Sequence, residues 1–457
     1  MTSLSTAAAS AVRSSMKKAT IRIVPFILLM YIMAFVDRVN LGFATNELKV
    51  HAGVSTAAYA LGASLFFVTY CFLEVPSNVI MHKVGARIWM ARIMISWGLI
   101  SAATMFVNNE AWFYVLRLLL GAAEAGFFPG IILFLTYWFP DEYRGRVTGL
   151  FYFGAPLAFI FGAPVSGMFL NMDGVAGLWG YPWMFLMEGL GATAVGIAAL
   201  FVLCDAPRKA KWLTEPEKKA LTAVLDAENA AKNQHGHTSM LSAMKDRTVL
   251  YFGLVFALVQ MGVSVALFFL PAQISAMMGK GANPVVTGFV VAIPWTCALL
   301  ATYFVPRYAE KVRRYGIIGG ASLILAAVGM LVSAGTTPVV AVVALCLAVA
   351  GLWACQPIFW TLLTNYKTGA AAVTGIALVN TIANIGNFFA PNVKVWADQS
   401  FNSGFGGLIV LALVTALAGL IYIPLGKHKG VRATAGEAPV VVPNQDDVAS
   451  HGASQDA

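Results

Sequence analysis

Twelve apolar stretches of bilayer length, separated by polar breaks, run along the chain at residues 21–44, 57–80, 88–107, 111–139, 147–170, 183–204, 249–275, 285–306, 316–334, 339–363, 371–396 and 406–425. Crossing the hydrocarbon core takes about 20 helical residues at 1.5 Å rise each. The pattern therefore predicts an all-α membrane protein of twelve transmembrane helices in two six-helix halves. One long polar interruption divides them. The expected organisation is a mobile leader over 1–20, a first half over 21–204, a linker over 205–248, a second half over 249–426 and a disordered tail over 427–457. Within the linker, Glu215-Pro216-Glu217-Lys218-Lys219 reads as a helix start with Thr214 as its N-cap, whereas Lys232 to Thr238 reads as soft. The basic loop Pro76 to Arg87 has a counterpart at Pro306 to Gly316, and the Gly-Ala-Pro pairs at 154–156 and 162–164 are echoed between Gly386 and Pro391. Such echoes at equivalent spans suggest an internal repeat.

Composition agrees with that pattern. The 457 residues are 59% hydrophobic and only 11% charged, with mean hydropathy +0.75, whereas about a quarter of a soluble domain is charged. The net charge of +9 would suggest nucleic acid, but its placement excludes that reading. With twelve spans, one set of loops holds only Lys49, Lys280 and Lys394, and nearly all other Lys and Arg fall on the opposite side. Basic loops stay cytoplasmic, so both termini are expected in the cytoplasm of an inner-membrane protein. The five cysteines lie in apolar segments without metal-ligand spacing and read as small core residues. All six histidines, at 51, 82, 235, 237, 428 and 451, fall in loops or tails. No catalytic residue, metal or cofactor is expected, and the chain does not read as an enzyme.

Candidate chemistry lies in the charges kept inside the spans. A charge at mid-bilayer costs roughly 2.5–3.5 kcal/mol on insertion scales, so it normally faces a bundle interior or a water-filled path. Asp37 and Arg38 lie in the outer half of span one, Arg117 lies at similar depth in span four, and Glu124 is nearer the midplane. Arg117 and Glu124 are two helical turns apart, about 10 Å, too far for a tight ion pair. Each therefore needs another partner. Arg38 and Arg117 offer planar forks for a carboxylate, or else they pair with Asp37 or Glu124 to tie spans one and four together. Asp37 and Glu124 are the proton candidates, because an arriving anion that takes an arginine away raises the proton affinity of the carboxylate left behind.

Particular motifs carry a family resemblance. Asp37-Arg38-Val39-Asn40, Phe72-Leu73-Glu74-Val75-Pro76-Ser77-Asn78, Gly85-Ala86-Arg87, Arg117 with Glu124-Ala125-Gly126-Phe127-Phe128-Pro129-Gly130, and Tyr137 through Arg146 resemble the anion:cation symporter family of the major facilitator superfamily. The subgroup most similar is that of bacterial tartrate and phthalate transporters. This resemblance implies proton-driven uptake of an organic anion, with arginine binding the carboxylate and acids on spans one and four carrying protons. The chain departs from the superfamily pattern at His82-Lys83, where Asp-Arg is usual, so the charge pairing assigned to that Asp is missing.

The remaining candidates are neutral or lie at the span ends. Glu74, Lys83 and Arg87 are expected to gate. Tyr70 could donate a hydroxyl, and Gln260, Trp360, Asn380 and Asn384 are the polar positions expected to meet the ligand in the second half. Charge in one half and neutral donors in the other suit a small ligand that is anionic at one end and hydroxylated along its body. The expected function is proton-coupled import of a tartrate-like hydroxycarboxylate or sugar acid by a monomer. An aromatic carboxylate substrate and a proton antiporter of the same fold are the alternatives. A dianion entering with fewer than two protons would work against roughly 2.3 kcal/mol per charge per 100 mV, and two buried acids fit that demand.

Overall fold

The computed structural model describes residues 6–233, 246–279, 281–366, 369–401 and 405–427. The expected tail after Lys427 and residues 234–238 of the soft stretch in the linker lie outside them. Among the described residues, eleven helical segments, from Ala9–His51 to Gly406–Gly426, are long and apolar enough to cross a membrane. The remaining expected span, 371–396, lies within a further helix of 32 residues, Gly369–Ser400.

In chain order the first half comprises α1 (Thr6–His51), α2 (Thr56–Val84), α3 (Ala86–Ala103), α4 (Glu110–Glu124), α5 (Phe127–Trp138), α6 (Asp141–Tyr152), α7 (Gly154–Leu170) and α8 (Gly180–Val202). The linker forms α9 (Glu215–Asn233). The second half comprises α10 (Arg247–Met278), α11 (Pro284–Val312), α12 (Tyr315–Ser333), α13 (Pro338–Tyr366), α14 (Gly369–Ser400) and α15 (Gly406–Tyr422). Helix starts at the bundle ends are capped by local side chains. Ser55, Asn109, Asp246 and Asn283 each accept from backbone N–H groups of the turn that follows, which satisfies donors the helix cannot pair internally.

Two expectations need correction. Residues from Thr6 onward do not form a loose leader; they extend α1 and pack on α9. There Lys18 and Ser14 donate to Glu217 at 2.9 and 2.7 Å. The backbone N–H of Thr214 donates to the same carboxylate at 2.9 Å, one half of a capping box. Span four, expected as one helix, is broken in two. α4 ends at Glu124, Ala125 turns away from helical geometry, and Gly126 takes the left-handed region at φ +84° before α5 begins. Only glycine fits there, since a Cβ at Gly126 would lie 2.4 Å from Ser77 Oγ.

The packing repeats with an offset of six spans. α3 lies on α8 as α12 lies on α15, α2 on α4 as α11 on α13, and α1 on α7 as α10 on α14. Across the halves, α7 meets α11 and α2 meets α14, again a symmetric pair. The α7–α11 seam is tight because Gly288 has no side chain, and a Cβ there would sit 2.4 Å from the Ala163 carbonyl. Large apolar side chains such as Phe72, Phe201, Phe304 and Leu413 are exposed on the outside, the face a bilayer would cover.

Candidate functional site

Between the halves lies a cavity of about 1000 Å³. Arg144, Tyr303 and Arg307 line it at the end of the bundle where the basic loops gather, and there it opens. The other end is shut. The Tyr59 hydroxyl bridges the carbonyls of Leu41 and Phe268 at 3.1 and 3.0 Å. Ser64 donates to the Phe388 carbonyl at 2.6 Å and accepts from Asn392 at 2.8 Å. These contacts join α1 and α2 to α10 and α14.

Arg38 and Glu124 meet on the cavity wall. Arg38 Nη2 donates to Glu124 Oε1 at 2.5 Å and Nη1 to the Ala34 carbonyl at 3.0 Å, while the guanidinium lies 4.8 Å from the Phe35 ring centre and 5.6 Å from that of Phe66. Glu124 Oε2 has no partner among the described residues. The helix break immediately after Glu124 is what ends α4 at this wall. A buried pair of this kind is strong only where its geometry is good and the remaining lone pairs are satisfied, so the free oxygen leaves the pair open to competition.

Arg117 and Asp37 are not on that wall. Arg117 is 5% exposed, donates through Nε to the Gly62 carbonyl at 3.4 Å and lies 5.1 Å from the Phe66 ring centre. Arg117, expected to meet the ligand, does not line the cavity in this conformation. Asp37 is buried and accepts from Ser101 and, at 3.5 Å, from Asn40. The two-turn separation of Arg117 and Glu124 was legible in the sequence; the choice of Arg38 as the partner of Glu124 was not, because it depends on how α1 and α4 are rotated against each other.

Opposite Arg38 the wall is neutral. Tyr70, Gln260, Trp360, Asn380 and Asn384 all line the cavity, joined by Gln356 and Asn387. Ser264 donates to Asn387 Oδ1 at 2.6 Å, and Asn387 Nδ2 donates to Asn384 Oδ1 at 3.2 Å. That relay fixes the Asn384 amide and leaves its Nδ2 without a partner among the described residues, as is Gln260 Oε1. The cavity thus presents one free donor, two free acceptors and a guanidinium. Asn380 is placed differently: its Nδ2 lies 3.4 Å from Glu74 Oε1, a contact between α14 and α2, so Glu74 bridges the halves beside the cavity. Lys83 and Arg87 are exposed at the basic end, where the Arg87 backbone N–H donates to Asp205 Oδ1 at 3.0 Å. No ion pair of either side chain is present among the described residues.

Sequence reasoning missed Glu188. It is 6% exposed in α8 and accepts from Ser166 at 2.7 Å. The signal was available, since it is the one charged residue of the segment 183–204.

Known proteins agree with this architecture. The chain is 41% identical over 419 residues to "Inner membrane transport protein RhmT" of Escherichia coli strain K12, covering 92% of this chain and 96% of that one. It is 41% identical over 416 residues to a "Putative tartrate transporter" of Agrobacterium vitis, covering 90% and 94%. Among solved structures, an inward open conformation of the xylose transporter XylE from E. coli superposes with TM-score 0.70 at 17% identity, covering 88% of this chain and 95% of that one. Residues 27–391 match the family model of the Major Facilitator Superfamily, and the chain belongs to that family of multi-pass membrane transporters.

Proposed function

We propose that the protein imports a small hydroxylated organic anion together with protons, by alternating access of a midplane site. The observation that carries this reading is the Arg38–Glu124 pair on the cavity wall, with one carboxylate oxygen unpartnered. A carboxylate arriving at Arg38 competes with Glu124 for the guanidinium, and a proton on Glu124 makes that exchange favourable. Proton and anion are thereby coupled through one electrostatic contact. The neutral side supports a hydroxylated body: Asn384 Nδ2 can donate to a hydroxyl oxygen and Gln260 Oε1 can accept from one. The Agrobacterium vitis relative, named for tartrate, supports the same class.

In this reading Asp37 is the second proton site, Tyr70 and Trp360 flank the anion, and the Glu74–Asn380 contact together with Lys83 and Arg87 belongs to the gate. The bias of basic loops supports cytoplasmic termini, which makes the open end cytoplasmic and the conformation inward-facing. The site lies within one chain and works as a monomer. An aromatic carboxylate is the second reading, favoured by Phe35, Phe66, Phe128 and Tyr31 on the wall.

The test is uptake into proteoliposomes under an imposed inward proton gradient, screening tartrate, sugar acids and phthalate, with wild type beside Glu124→Gln. Accumulation of one anion by wild type, with exchange but no accumulation by the variant, is the expected result. Accumulation that ignores the gradient, or no movement of any anion on the panel, refutes the proposal.

A further inference from the structure

Behind the cavity wall, where no lining residue of the site reaches, α1, α3, α7 and α8 enclose a polar cluster. Ser101 of α3 and Asn40 of α1 donate to Asp37 Oδ1, Ser166 of α7 donates to Glu188 Oε1, and the Asn40 side chain also faces the Glu188 carboxyl. Asn40, Ser101 and Ser166 are at most 1% exposed. Two atoms stay unsatisfied: Glu188 Oε2 and Asn40 Oδ1 have no partner among the described residues. Both are acceptors when Glu188 is ionised, so neither can satisfy the other. A proton on Glu188 Oε2 turns it into a donor, and the acceptor it needs is within the same cluster.

Charge balance points the same way. Asp37 of α1 is the charged group that faces Glu188; α3 and α7 present only the hydroxyls of Ser101 and Ser166. Among the described residues no Lys, Arg or His pairs with Glu188. Two carboxylates joined through one amide cannot both be ionised cheaply in a buried site, and Asp37 is the one that also lies in the field of Arg117 and Arg38.

We propose that Glu188 is a protonated positioning residue, which donates through Asn40 to hold Asp37 in place and which blocks the transporter when it loses that proton. The role as brake rests on the symport reading, in which Asp37 carries a proton; the protonation state does not. Proton loss from Glu188 would set a second negative charge beside Asp37 and leave Glu188 Oε2 and Asn40 Oδ1 as two acceptors with no donor between them.

Infrared difference spectroscopy on the purified full chain tests the protonation without any substrate. At neutral pH, wild type minus Glu188→Gln is expected to show the carbonyl stretch of one protonated carboxyl, and Ser166→Ala is expected to shift that band with Glu188 still present. A carboxylate band in its place, or no shift with Ser166→Ala, overturns the assignment even if Glu188→Gln folds poorly. Exchange across liposomes at equal pH on both sides tests the brake. Glu188→Gln should keep wild-type exchange near pH 6 and hold it about tenfold higher than wild type on the alkaline limb. An unchanged alkaline limb overturns the brake. If wild type moves no anion at all, the symport reading fails, and the infrared result stands by itself.

Discussion

Glu124→Gln isolates the contact on which coupling is proposed to rest. The carboxylate and guanidinium meet at 2.5 Å between Oε1 and Nη2, which puts their charge centres about 4 Å apart. At an effective dielectric of about 20 that attraction is worth about 4 kcal/mol. An anion that takes Arg38 must displace it. Glutamine keeps the shape and an acceptor oxygen but removes the charge, so a neutral hydrogen bond is all the anion then competes with. The Arg38 side chain is 15% exposed to the cavity, and water there screens part of the term. If only a third survives, about 1.4 kcal/mol, the anion still binds about tenfold tighter. Equilibrium binding of tartrate, or of whichever anion the uptake screen selects, should therefore show Glu124→Gln about tenfold to a hundredfold tighter than wild type at alkaline pH, converging as wild type is acidified. A variant that loses binding, or whose binding follows pH as steeply as wild type, refutes the competition mechanism.

Gly126→Ala meets the left-handed backbone cost of about 1–2 kcal/mol and the Ser77 side chain within 2.6 Å of the new Cβ, so thermal unfolding in detergent should fall by several degrees. Gly145→Ala in α6, with nothing within 4 Å of its Cβ, is the matched control and should be neutral or slightly stabilising. Tyr59→Phe removes the hydroxyl that joins Leu41 to Phe268; at about 1 kcal/mol, the population open at that end should rise about fivefold, read as faster alkylation of a single cysteine at Thr45. Burial alone would raise the Glu217 carboxyl, but hydrogen bonds from Lys18, Ser14 and Thr214 outweigh it and hold it down to about 2. Its contribution to docking α9 on α1 is complete above the unfolded value near 4.3 and is lost as pH falls toward 2. Amide exchange in α9 should accelerate between pH 4.5 and pH 2.5 in wild type, once corrected for intrinsic rates, and not in Glu217→Gln.

The sequence carried the architecture because a bilayer leaves few options: length, apolarity and the side on which basic loops gather are all one-dimensional properties. It also carried the identity of the charged residues, since Asp37, Arg38, Arg117 and Glu124 stand out against apolar neighbours. It did not carry their partners. Arg38 faces the cavity and Arg117 faces the Gly62 carbonyl although both are arginines at similar depth, because helix rotation rather than depth decides which side chain meets water. The break after Glu124 was written in Ala125-Gly126 but read as helix, since glycine is common in membrane spans. Glu188 was overlooked although it obeys the rule that singled out Glu124.

The break and the pair belong to one device. A continuous span four would run past Glu124 and hold its carboxylate by the packing of turns on both sides. Because α4 stops there and the left-handed Gly126 breaks the helix within the span, Glu124 is the last residue of α4, and Arg117, two turns before it, is fixed to the α2 backbone. On the symport reading, α4 then acts as a rigid arm. Its middle is anchored by Arg117 at Gly62, and its inner end offers Glu124 to whichever of Arg38 or a proton holds it. Rocking of the halves changes what Arg38 faces, while Glu124 keeps its place relative to Asp37 and the cluster behind it. Neutral donors on α10 and α14 need no proton to bind a hydroxyl, so the second half can close on the ligand without a change of charge. On that reading the proton-carrying acids, Glu124 of α4 and Asp37 of α1, both belong to the first half.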